Sequence, residues 1–234
     1  IVVDTFIGAM LMLAFAPKIG GLKSLYDKAN AKIHGARILL NTAVNLLIVY
    51  CFTIMPLTTV YTAVFTLPFM AVILAMIFYG EKVGLHRWAS IFVGFAGILV
   101  AFQPWRAETD LLEMLLPIGA TVVVVLMFLI ARSFKGSSVL AIGFYPVMGS
   151  CVLIAPLAFM NFTPIELSHF PIFVISGIGM SLGIICVSVA FQTADSAVVT
   201  PMLYFELIWA IIFGYLLFDY SPEPQMMIGA AIII

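Results

Sequence analysis

Long apolar runs alternate with short polar joints along the whole chain, at roughly 1 to 16, 38 to 55, 57 to 79, 88 to 104, 111 to 131, 138 to 160, 171 to 191, 197 to 218 and 225 to 234. Most reach the roughly 20 residues that carry a helix across a 30 Å hydrocarbon core. The pattern predicts an all-α, polytopic membrane protein. The first run has 16 residues and the last ten, so both read as clipped. A fragment lacking at least one N-terminal span and the end of its final span is expected. The first run is not a signal peptide, because Asp4 stands where a basic n-region belongs and Ala16 to Lys18 offers no cleavage site.

The cations fix an orientation. Lys18, Lys23, Lys28, Lys32 and Arg37 follow the first run, Lys82 and Arg87 the third, Arg132 and Lys135 the fifth, and only Arg106 lies on the other side. Short loops rich in Lys and Arg stay cytoplasmic. Loops 17–37, 80–87, 132–137 and 192–196 are therefore expected inside an inner (plasma) membrane. Glu108, Asp110, Glu166, Asp219 and Glu223 fall in the opposite loops. The five cations of residues 17 to 37 serve orientation first, and their charge also suits anionic lipid head groups.

Composition narrows the function. With 64% hydrophobic and 9% charged residues, no soluble domain is hidden in the chain, and the longest polar stretch, 17 to 37, is too short to build a core. A net charge of −1 without a further basic run argues against nucleic acid. Cys51, Cys151 and Cys186 lie inside runs, as small apolar packers.

The chain also repeats itself. Shifting Phe52 to Glu81 by 139 positions lays it on Phe191 to Tyr220 without a gap, pairing Phe52 with Phe191, Val60 with Val199, Ala71 with Ala210 and Ile73 with Ile212. With the next loop shortened by four, Gly94, Ala96 and Ile98 fall on Gly229, Ala231 and Ile233. A unit of five spans is odd, so its two copies sit in opposite orientations. Inverted repeats of this kind typify secondary transporters, with the site near the midplane. The expected halves are 1–104, lacking its first helix, and 105–234, with its last helix truncated: ten helices as five plus five.

Met55-Pro56-Leu57-Thr58-Thr59, Leu67-Pro68-Phe69, Gly80-Glu81-Lys82, Trp88 and Gly94-Phe95-Ala96-Gly97-Ile98 ending at Pro104 resemble the first repeat of EamA-type drug/metabolite transporters. Ala197 to Pro201, Tyr204-Phe205-Glu206-Leu207, Phe218, Pro222 and Gly229 to Ile234 resemble that family's closing helices. Arg37, 19 residues before Pro56, brings the S-adenosylmethionine carrier branch nearest. Two positions depart from the pattern: Tyr220 stands where the first repeat has Glu81, and Asp4 or Thr5 where an Arg is usual. The resemblance implies a carrier of S-adenosylmethionine, an amino acid or a similar amphiphile.

Candidate residues follow from the residues themselves. Glu206 lies nine residues into its run, about 13 Å deep at the helical rise and near the midplane. Ionised there, it costs about 2.5 to 3.5 kcal/mol, so it must be protonated, paired or facing a wet cavity. Proton coupling and a counter-charge for a cationic substrate are the functional readings, and a protonated carboxyl bonded to a neighbouring helix is the packing one. Thr58, Thr62 and Thr66 share a helix face with Tyr61 and Phe65, either as a stripe for an amphiphile or as hydroxyls bonded one turn back. Thr200 and Tyr204 are the matching pair. Arg37, Asn41 and Asn45 line one face that should look into the bundle, with Arg37 read as an anchor. Pro68 and Pro201 each interrupt a span and free a carbonyl, that of Val64 and Ala197, as candidate hinges.

Gly177, Gly179, Ser181 and Gly183 form a small-residue face with G-x-x-x-G at 179 to 183, read as close helix packing. Gly179 to Gly183 also matches G-x-S-x-G. A nucleophilic Ser needs a base at hand, yet the histidines are His34, His86 and His169, and His169 lies about 18 Å along a helix from Ser181. Neither a metal-ligand spacing nor a P-loop is present. No catalytic residue, metal or cofactor is expected. The partners are a small-molecule metabolite and the bilayer, with a proton or an exchanged counter-substrate supplying the drive, and the oligomeric state is open. The alternative is a non-transporting membrane sensor or scaffold that keeps the carrier fold, for which a dry, sealed centre around Glu206 would speak.

Overall fold

The computed structural model describes residues 2–18, 21–106, 111–160, 170–218 and 221–233. Glu108, Asp110, Glu166, His169, Asp219 and Tyr220 lie outside the described residues. Among the described residues all regular structure is helical: α1 Val2–Phe15, α2 Ala31–Ile54, α3 Leu57–Val64, α4 Leu67–Tyr79, α5 Leu85–Phe102, α6 Leu111–Ile130, α7 Val139–Met160, α8 Phe170–Thr193, α9 Ser196–Val199, α10 Phe205–Phe218 and α11 Pro224–Ile233. Among the described residues seven segments are long and apolar enough to cross a membrane, and α1 and α11 are shorter. The protein is a multi-pass membrane protein. α2 begins earlier than its apolar run, at Ala31. Lys32, His34 and Arg37 are polar but do not break a helix, so hydropathy marks the membrane boundary and not the helix boundary.

The chain gathers into two compact units. The first combines Ile1–Asn45 with Met127–Thr193, and the second Leu46–Leu126 with Ala194–Ile234. Each unit therefore takes sequence from both expected halves.

In the first unit α1 and α8 cross through small residues. A Cβ added to Gly8 would lie 2.6 Å from the Gly177 carbonyl oxygen, and one added to Gly177 would lie 2.5 Å from the Asp4 carbonyl oxygen. The buried side of α8 runs Gly177, Ser181, Ile184, Ser188 and Phe191, steps of four and three that trace one helix face. Gly179 and Gly183 have nothing within 4 Å. The close-packed pair is thus Gly177 and Ser181, not the G-x-x-x-G two residues on, which lies on another side of the helix.

Arg37 corrects the reading of it as an anchor. It is fully buried, and its guanidinium donates to the carbonyls of Met127 at 3.2 Å and Ile142 at 2.7 Å and to the Ser188 hydroxyl at 2.6 Å. Pro146 explains one of these bonds. Lacking an N–H, it leaves the carbonyl of Ile142, four residues earlier, without its helical donor, and Arg37 supplies one. α7 continues unbroken through Pro146, and through Pro156 as well. Asn41, also buried, donates to the Pro146 carbonyl at 3.0 Å and the Ser150 hydroxyl at 2.8 Å. Half-buried Asn45 donates back to the Asn41 carbonyl at 2.9 Å. This face looks into its unit, as two amides and a guanidinium in lipid require.

In the second unit α5 and α11 cross glycine on glycine. A Cβ on Gly97 would lie 2.7 Å from the Gly229 carbonyl oxygen, and one on Gly229 would lie 2.5 Å from that of Gly97. α4 ends at Gly80 in the left-handed conformation at φ 65, which a residue without Cβ adopts freely. The Glu81 carboxylate that follows accepts the Ser196 N–H at 3.1 Å, where α9 begins, and Arg87 pairs with Asp195 at 3.2 Å.

Candidate functional site

Two proline-bearing spans of the second unit are broken, those of Pro68 and Pro201, whereas α6 runs on through Pro117. α3 stops at Val64 and α4 starts at Leu67, with Pro68 in its first turn, where a missing N–H costs nothing. The carbonyl of Ala63 closes the gap. It accepts the Thr66 N–H at 3.0 Å, the Thr66 hydroxyl at 2.6 Å and the Thr121 hydroxyl at 3.3 Å. In the later span a 3₁₀ segment, Thr200–Tyr204 with Pro201 near its start, separates α9 from α10. Tight 3₁₀ stretches inside a span mark strain or a hinge.

A cavity of about 290 Å³ opens beside these breaks, lined by Tyr61, Phe65, Phe102, Glu206, Leu207, Ala210, Ile211 and Met226. Phe102 stacks on Tyr61 with ring centroids 6.2 Å apart, and on Phe65 at 5.7 Å. Three aromatic rings thus stand in one wall near a carboxylate. Glu206 opens the first turn of α10, where the helix dipole favours negative charge. Its carboxylate has no hydrogen-bonding partner among the described residues.

Of the residues singled out from sequence, this cavity gathers Glu206, Tyr61 and Phe65. Thr62 and Thr66 do not line it. Thr62 donates to the Thr58 carbonyl at 2.7 Å and Thr66 to that of Ala63, so of the two readings of this stripe the bond one turn back describes these hydroxyls here. Thr200 and Tyr204 are buried, and their hydroxyl oxygens, with that of Ser196, lack partners among the described residues. Tyr204 packs with Phe65, Ile98, Ala101 and Leu207, and its ring fills the space over Gly94, where an added Cβ would meet Cε2 at 2.6 Å. Asn41 and Asn45 belong to the first unit and make the bonds given above. Sequence reasoning missed Phe102 and Met226, which come from α5 and α11, and no local pattern in α10 names its neighbours. Among the described residues no group of three His, Cys, Asp or Glu gathers as metal ligands.

Residues 1–103 and 111–234 match the EamA-like transporter family. The chain belongs to that family. Among curated relatives of this EamA-family chain is the S-adenosylmethionine uptake transporter of Rickettsia conorii, 30% identical over 187 residues that cover 79% of this chain and 63% of that protein. The riboflavin transporter of Rhizobium johnstonii is 28% identical over 186 residues, covering 76% of this chain and 60% of the relative. The alignments thus span less than two thirds of these relatives' length. A solved crystal structure shares the fold with TM-score 0.77 at 15% identity, over 99% of this chain and 82% of that one. Where the family resemblance leads one to expect an Arg, Thr5 is buried with its hydroxyl on the Val2 carbonyl at 3.1 Å.

Proposed function

We propose that this EamA-family chain is a secondary transporter that carries a small organic metabolite across the inner membrane by alternating access, as a ten-helix fold of two inverted five-helix repeats, 1–104 and 105–234. Loops 17–37, 80–87, 132–137 and 192–196 face the cytoplasm in this reading. Under the 139-residue shift, the break at Phe65–Thr66 falls on Tyr204–Phe205, where the 3₁₀ segment gives way to α10. That coincidence supports the repeat; Pro68 and Pro201, which the shift leaves six residues out of register, flank the two breaks as candidate hinges.

The observation that carries the function is the aromatic wall beside Glu206. S-adenosylmethionine and riboflavin, the substrates named for the relatives, share a flat heteroaromatic ring, and Tyr61, Phe65 and Phe102 suit such a ring. S-adenosylmethionine adds a positive sulfonium, which aromatic faces and a carboxylate attract. We therefore place S-adenosylmethionine first, ahead of amino acids and other amphiphiles. A cavity of about 290 Å³ sits at the small end of metabolite pockets, so this conformation takes a ring and its adjacent charge, not a whole molecule. Glu206 is the group that binds the cation or, in its absence, a proton. Thr62, Thr66, Thr200, Tyr204, Asn41 and Asn45 are reserves for other states of the cycle. The chain acts as a carrier and not as an enzyme.

Counterflow of labelled S-adenosylmethionine into liposomes holding the full-length protein tests this. Accumulation by wild type that falls, or loses its pH dependence, in Glu206→Gln supports the carrier with Glu206 on its path. No accumulation by folded wild type, with a silent panel of unlabelled metabolites, rejects it in favour of a sensor or scaffold.

A further inference from the structure

The first unit holds an apolar groove that the transport reading does not use. It has a volume of about 540 Å³ and lies along α1, α7 and α8. Its floor is buried, at Met12 and Leu140, and its walls are exposed, at Phe15, Val139, Ile178 and Leu182. In membrane-spanning helices such exposed walls face acyl chains. The close crossing at Gly8 and Gly177 lets α1 and α8 approach and sets the groove's depth.

One end of this groove is electrically distinct. Val139 follows Ser138, whose hydroxyl donates to the Ser24 carbonyl at 2.9 Å, and the Tyr145 hydroxyl donates to the Leu25 carbonyl at 2.5 Å. These bonds fix the turn Leu22–Leu25 beside the groove's end, with Lys23 exposed on it. Lys135 is exposed as well, and its carbonyl accepts the Asn30 side-chain amide at 3.1 Å. Neither cation meets a carboxylate among the described residues. The nearby Asp27 is taken up by Asn30 at 2.9 Å, His34 at 3.1 Å and the Ser137 hydroxyl. An apolar trough thus ends beside two backbone segments, each held by hydrogen bonds, that carry an exposed lysine.

We propose that this groove binds one anionic phospholipid of the surrounding bilayer, with an acyl chain along Phe15, Val139, Ile178 and Leu182 and the phosphate between Lys23 and Lys135. A free phosphate would leave the trough unused, and a zwitterionic lipid would gain little from the lysines. The site is separate from the Glu206 cavity, so it stands whether or not the chain transports.

Native mass spectrometry of the full-length protein with phosphatidylglycerol or chain-matched phosphatidylcholine, joined to melting curves in both lipids, tests it. Wild type should retain one phosphatidylglycerol per chain and melt higher in it. The Lys23→Gln/Lys135→Gln pair, which removes the charges, and Leu182→Trp, which fills the groove from an exposed wall, should each cut retention roughly tenfold. Equal retention of the two lipids, or a preference that survives both variants, overturns the proposal. A preference lost in the lysine pair but kept in Leu182→Trp assigns the lipid to surface charge and overturns the groove. A lipid-indifferent dimer gives the groove to a second copy and overturns it too.

Discussion

The two units each hold an ionisable side chain within an apolar span, and they treat it in opposite ways. Arg37 is sealed in, with two carbonyls and a hydroxyl bonded to it. Glu206 stands in a cavity wall without a partner among the described residues. Buried polar groups with every bond made rigidify a fold, whereas the exposed Glu206 carboxylate keeps its bonding capacity for what enters the cavity. The contrast extends to neighbours. Asn41 is doubly bonded, while among the described residues the Ser196, Thr200 and Tyr204 hydroxyls have no partner, as is also true of Ser181 Oγ and His34 Nδ1 in the first unit. The contrast is therefore local: the Arg37 and Asn41 face reads as scaffold, and the surroundings of Glu206 as the part with bonds still to make.

Breaking the scaffold should have the largest effect. Arg37→Met strands the Met127 and Ile142 carbonyls in an apolar interior, at roughly 3 kcal/mol or more. Fluorescence-detected size-exclusion chromatography should show most of the folded peak gone. Arg37→Lys should recover only part of it, because an ammonium lacks the planar fork. A wild-type melting curve for Arg37→Met would erase the contrast.

Next comes Glu206→Gln, for which the comparison requires a split outcome. Stability should stay within about 0.5 kcal/mol of wild type, since no protein bond is lost. Counterflow should fall roughly tenfold, the scale of losing one charge-assisted contact. A melting temperature that dropped along with transport would make Glu206 a structural group like Arg37.

Gly94→Ala brings a methyl against the Tyr204 ring and should cost about 1–3 kcal/mol. Gly179→Ala, with nothing within 4 Å, should cost nothing. Thermal melts of the two would separate the packed glycine from the unpacked one. The smallest effect belongs to Tyr204→Phe, which deletes an orphaned hydroxyl and should leave stability unchanged or raise it by about 1 kcal/mol. A clear loss would mean that this hydroxyl finds a partner in another populated state.

The spans were legible in sequence because lipid demands long apolar helices, and the apolar runs fall on helices within a few residues wherever the chain is described. The start of α2 was not, since Lys32 and Arg37 interrupt hydropathy without interrupting hydrogen bonds. Prolines were readable as sites of freed carbonyls. Which of them break a span was not: at Pro146 a distant Arg37 serves the Ile142 carbonyl and α7 runs on, α6 runs on through Pro117, and α3 and α4 part at Thr66. The small-residue pairs 177/181 and 179/183 have identical spacing, and only the neighbouring α1 tells them apart. Glu206, Tyr61 and Phe65 were nameable from residue type and depth. Phe102 and Met226 join them through folding alone.

The crossing of α5 and α11 carries a last consequence, in evolutionary terms. Because Gly97 and Gly229 each present a backbone oxygen where the other's side chain would grow, neither site can drift by itself. A substitution at one meets main chain, which cannot be trimmed by a second mutation, so the usual escape by compensating change is closed. The two positions thus act as one character, and wherever this helix crossing is kept both are expected to remain glycine.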